Sequence, residues 1–98
     1  MDLWRLTLEE CIDMADLTSE QVAVIAEHER IDLMVAAEMG ACLVHTEDGR
    51  ARIGRMVLDN IANAQRRGKA AHEAELKVVL QHCVREYGML DGGPAEVA

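Results

Sequence analysis

The chain has 98 residues with ten basic and eighteen acidic side chains, a formal charge of −8. That balance disfavours general binding to nucleic acid or anionic membranes. Three cysteines, an odd number without a short-range pairing motif, fit a reduced, cytoplasmic compartment rather than a disulfide framework.

Half of the residues are hydrophobic, yet there is no Phe, and Trp4 and Tyr87 are the only aromatic residues. A single core must then be packed from Leu, Val, Ile, Ala and six Met, the last being flexible fillers of irregular gaps. The opening stretch MDLWRLTLEEC has no basic region followed by an apolar run, so a signal peptide is not expected.

Thr7-Leu8-Glu9-Glu10 has the spacing of a capping box. It predicts a helix to about Ala15, with Leu8, Cys11, Ile12 and Ala15 on one face and Trp4 or Leu6 placed to staple its entry. Thr18-Ser19-Glu20-Gln21 repeats the signal and predicts a helix from Ser19 to about Glu29, with Val22, Ile25 and Ala26 as its apolar face. Glu20 near its start and His28 and Arg30 near its end suit the helix dipole.

The stretch Ile31 to His45 is apolar or small almost throughout, interrupted by Asp32 and Glu38. Wound as a helix, it places Leu33, Ala36, Ala37, Gly40 and Val44 on one side. Ile31, Met34, Glu38, Cys42 and His45 fall on the other. A helix apolar on most sides is normally buried by several neighbours, which predicts the central helix of a bundle. It is too short, and too interrupted by Glu38, to span a bilayer. No Gly or Pro separates it from the helix before it, so the break near residues 30–32 rests on the shift in periodicity.

His45-Thr46-Glu47-Asp48-Gly49 is turn chemistry. A helix is expected from about Glu47 or Arg50 to Arg67, with Ile53, Val57, Ile61 and Ala64 at helical spacing and Gly68 as a left-handed stop. The last helix is expected over Lys69–Tyr87, striped by Leu76, Val79, Leu80, Cys83 and Tyr87 and stopped by Gly88. Residues 91–98, DGGPAEVA, have the composition of a disordered tail. No stretch alternates apolar and polar residues as a strand would. The expected fold is a single all-α domain over residues 1–90, four to five short helices around the 31–45 segment.

Four constellations bear on function. Residues 7–30 have the lengths of a helix-turn-helix, but its second helix carries Glu20, Glu27 and Glu29, the wrong charge for a polyanion. Glu38, Cys42 and His45 share a helix face, and with His72 they are the candidate ligands for iron or zinc in a bundle. The Glu-x-x-His and Cys-x-x-Cys spacings of known sites are absent. Catalysis by cysteine has little support: Cys42 and Cys83 lie on apolar stripes, and Cys11 has acidic neighbours that would raise its thiol pKa. No catalytic residue and no cofactor are implied.

The fourth constellation is a basic strip. Arg50, Arg52, Arg55, Arg66, Arg67 and Lys69 hold six of the ten basic residues, while the first half of the chain is acidic. An Arg55–Asp59 pair at i, i+4 would neutralise part of it. Arg52, Arg55, Arg66 and Arg67 are otherwise candidates for docking an acidic partner or a second copy. The function expected is non-catalytic: protein–protein contact, with a homodimer as the simplest assembly.

Overall fold

The computed structural model describes residues 17–88. They form four helices: α1 Ser19–Glu29, α2 Leu33–Leu43, α3 Glu47–Arg66 and α4 Ala70–Tyr87. The helix expected at 7–15, with half of the helix-turn-helix segment, and the tail from Asp91 lie outside the described residues. Among the described residues there is no strand, and no helix is long and apolar enough to cross a membrane.

The helix boundaries have local causes. Thr18 caps α1 through a complete capping box: its Oγ1 accepts from Gln21 N (3.1 Å), and its own N–H donates to Gln21 Oε1 (2.9 Å). The helix ends at Arg30, which adopts the left-handed conformation (φ 60°, ψ 49°) without being glycine. The carbonyl of Ala26 accepts from both Arg30 N and Ile31 N, which turns the chain.

Asp32 then caps α2, its Oδ1 accepting from Val35 N at 2.9 Å, so this helix starts at Leu33 rather than Ile31. Thr46 caps α3 through Gly49 N (2.9 Å), and Glu47 and Asp48 sit in the first turn, where the dipole favours them. Arg50 reaches back to the carbonyl of Val44 at 2.7 Å and satisfies one of the free acceptors at the end of α2.

Gly68 stops α3 at φ +69°. Lys69 N bonds Ala64 O and Gly68 N bonds Gln65 O, the paired bonds of a Schellman turn. Gly88, at φ +85°, ends α4.

The core is centred on α3, which touches each of the other three helices and packs most extensively on α4. Ile53, Met56, Val57, Ile61 and Ala64 of α3 meet Val22, Val24 and Ile25 of α1 and Leu76, Val79 and Cys83 of α4. Two buried amides stitch the helices together. Asn60 Nδ2 donates to the carbonyl of Val24 (3.2 Å). Gln21, 1% exposed, donates to Tyr87 Oη (3.1 Å) and Cys83 Sγ (3.7 Å) while its oxygen serves the α1 cap. Gln21 joins the start of α1 to the end of α4, and Glu27 with His72 joins the end of α1 to the start of α4. These two helices therefore run antiparallel.

The 31–45 segment differs from expectation in its role. Its small-residue side is the packed one: Ala36, Ala37 and Gly40 are buried, and Leu17 and Ile25 lie over Gly40. The other side is open. Met34, Val35, Glu38 and Cys42 are exposed, so Cys42 is not a buried apolar-stripe residue. Among the described helices α2 packs on α1 and α3 alone. Two neighbours cover one side of a helix, and the central position belongs to α3.

Candidate functional site

The outer face of α2 carries three of the five large exposed hydrophobic residues described. Its eleven residues include a single charged side chain, Glu38. Leu33 (45% exposed), Met34 (38%) and Val35 (45%) form its open first turn. The polar border is supplied by Asp32, which precedes the helix, and by Glu38, one turn after Met34.

A second surface feature is a shallow groove of about 410 Å³ between the end of α1 and the middle of α3. It is lined by His28 and Glu29 of α1 and by Arg52, Arg55, Met56, Leu58 and Asp59 of α3, of which Met56 is buried and Leu58 exposed. Of the four candidate arginines, α3 therefore brings Arg52 and Arg55 together here. Arg66 and Arg67 are exposed at the far end of the same helix, where Arg66 donates to Asn63 Oδ1 at 3.0 Å and Arg67 lines a separate recess of about 290 Å³ with Lys69 and His72. Asp59 carries a bond from His28.

The two histidines at these recesses are each flanked by two carboxylates. His28 Nε2 lies 2.8 Å from Asp59 and its Nδ1 2.8 Å from Glu29. His72 Nε2 lies 2.9 Å from Glu27 and its Nδ1 3.3 Å from Glu75. Partial burial disfavours charge on His28, but the bonds to Asp59 and Glu29 outweigh it and hold the ring above its ordinary 6.5. His72 is raised chiefly by its bond to Glu27, with Glu75 adding to it. Nothing in the sequence marks these pairs, because their members are 31 and 45 residues apart. The one signal was His72 standing in register with the apolar stripe that begins at Leu76.

The candidate metal ligands do not converge. Glu38 and Cys42 are exposed on the outer face of α2, His45 is exposed in the turn that follows, and His72 is engaged with Glu27 and Glu75. Among the described residues, no group of three or more His, Cys, Asp or Glu side chains is placed to hold a metal ion. Cys83 is fully buried; desolvation pushes its thiol up despite the bond from Gln21, which makes it a poor nucleophile. Compared with known protein families, with characterised proteins and with solved structures, the chain matches none of them.

Proposed function

We propose that the protein acts without catalysis, through protein–protein contact, and that its partner is a second copy of the same chain. The observation that carries this is the open face of α2. Leu33, Met34 and Val35 hold apolar surface in water although none of them is needed to fill the core. The complement is the α1–α3 groove: the exposed Leu58 for the three apolar side chains, and Arg52 for Asp32 and Glu38. Each copy presents both patches, the condition for a closed two-fold contact in which each is used twice. Charges at such a border set orientation and encounter rate more than affinity.

Sedimentation at micromolar concentration tests the proposal. Wild-type protein is expected as a dimer, and Met34→Glu with Val35→Glu, or Arg52→Glu, as a monomer. A single wild-type species of 10.8 kDa, unchanged between low and high salt, overturns it.

A further inference from the structure

In the last turn of α1 only Ala26 packs against the core, and two histidine bonds join this turn to the other helices. Glu27 is exposed and His28 half-buried. From this turn His28 reaches Asp59 on α3, and Glu27 receives His72 from α4. The immediately following residue is Arg30, whose left-handed backbone ends the helix. Nearby Asn60 holds the carbonyl of Val24 one turn earlier, and Ile25 is fully buried, so the core anchors the helix as far as Ile25 and Ala26.

Donor and acceptor counting sets what these rings require. A neutral imidazole has one N–H and one lone pair, whereas an imidazolium has two N–H groups. Both nitrogens of His28 face carboxylate oxygens, and so do both nitrogens of His72. An ionised carboxylate only accepts. A neutral ring therefore keeps one of its two bonds and turns a lone pair towards the other carboxylate. Only the protonated ring makes both, as charge-assisted hydrogen bonds.

We propose that His28 and His72 form a proton-operated double clamp that fastens the C-terminal turn of α1 to α3 and α4, closing as pH falls and loosening as pH rises. The charged groups around His28 are Glu29 of its own helix and Asp59, Arg52 and Arg55 of α3. Around His72 they are Glu75 of its own helix, Glu27 of α1, and Arg67 and Lys69 at the α3–α4 turn. The cations oppose a further positive charge, but the carboxylates hold the rings at hydrogen-bond distance, and the balance favours the proton at both sites. Both rings are thus raised in the folded chain. Their stabilisation is complete below the unfolded histidine value and is lost as pH rises through the higher folded values. That places the clamp in the range where histidine serves as a physiological switch. All four carboxylate partners belong to one chain, so the clamp forms within a single copy. Because His28, Glu29 and Asp59 also line the groove proposed for the second copy, the clamp is measured at a concentration at which sedimentation shows a monomer.

Two measurements on the full chain test the clamp. The first is a titration of the histidine ring protons by NMR. Midpoints above 6.5 for both His28 and His72 are expected; a midpoint at or below 6.5 for either overturns the proposal. The second is amide hydrogen exchange, expressed as protection relative to the intrinsic rate at each pH. Protection of residues in the last turn of α1 is expected to rise several-fold between about pH 8 and about pH 5.5. The double variant His28→Gln, His72→Gln should fold, because both positions are at the surface, and should lose that rise, whereas His45→Gln should keep it. Protection that does not change with pH in the wild type, or changes equally in the double variant, overturns the proposal.

Discussion

Gly49 is the position at which two ordinary expectations oppose each other most sharply. It lies in the first turn of α3, and replacing a helical Gly by Ala normally gains up to about 1 kcal/mol. Here a methyl group would meet the backbone of Leu43. It would overlap the carbonyl oxygen and stand 2.7 Å from the carbonyl carbon and 2.8 Å from Cα. Backbone atoms at the end of α2 cannot rotate aside as a side chain does, so the α2–α3 corner must open.

Opening it strains the cap from Thr46 Oγ1 to Gly49 N and the bond from Arg50 to Val44 O. The cap is worth about 1 kcal/mol, the arginine bond about 1 kcal/mol, and overpacking typically costs about 1–3 kcal/mol. Set against the propensity gain, Gly49→Ala should destabilise by about 2–4 kcal/mol, a fall of about 10 °C or more in a domain of this size. Gly40→Ala is the control. There the added carbon would lie 2.5 Å from Leu17 Cδ1 and 3.1 Å from Ile25 Cδ1, the ends of side chains that can change rotamer. Its cost, about 0.5–1.5 kcal/mol, nearly cancels the same gain, while Gly40→Leu exceeds what the site accepts. Urea and thermal unfolding followed by circular dichroism measure all three. If Gly49→Ala melts at or above the wild type, the close α2–α3 approach is refuted.

Gln21→Ala removes the reciprocal half of the α1 cap and leaves the half-buried Tyr87 hydroxyl without its amide donor, and should cost about 2–3 kcal/mol in urea unfolding. Arg30→Gly relieves a left-handed residue, a strain of about 1–2 kcal/mol, against glycine's own entropic cost of about 0.5–1 kcal/mol; a net gain of about 0.5–1 kcal/mol is expected in thermal unfolding. Between the two cysteines of the described residues, the exposed Cys42 should be alkylated rapidly and the buried Cys83 only on unfolding, as peptide mapping by mass spectrometry will report.

Much of the fold is legible because its signals are local. The Thr18 capping box and the stops at Gly68 and Gly88 depend on residues within one turn of each other, and each stands where its spacing predicts. The stripes of α3 and α4 follow from the 3.6-residue period alone: Ile53, Val57, Ile61, Ala64, Leu76, Val79 and Cys83 are all buried. What resists such a reading is decided by neighbours. Arg30 takes a conformation that its side chain gives no reason to expect. Gln21 looks like a capping residue and is also a core hydrogen-bond donor, because α4 passes it 62 and 66 positions later. Arg50 looks like part of a binding strip and instead closes the end of α2.

The outer face of α2 separates local pattern from tertiary placement most clearly. Helical spacing puts Ala36, Ala37 and Gly40 on the packed side and Met34, Glu38 and Cys42 on the open one, but it also assigns the exposed Leu33 to the packed side and cannot tell how many neighbours the helix has. With α1 and α3 as its packed neighbours among the described residues, only the small-residue side is covered. Met34 and Val35 lie outside the packed core and remain 38% and 45% exposed, so they stabilise an isolated chain less than a buried side chain does. Surface substitutions away from caps and cores usually change stability by no more than about 0.5 kcal/mol. It follows that Met34→Glu with Val35→Glu should leave the unfolding of a dilute monomer almost unchanged while abolishing self-association. A large loss of monomer stability would instead place that face inside the fold of a single chain, and the apolar character of α2 would then need no partner to explain it.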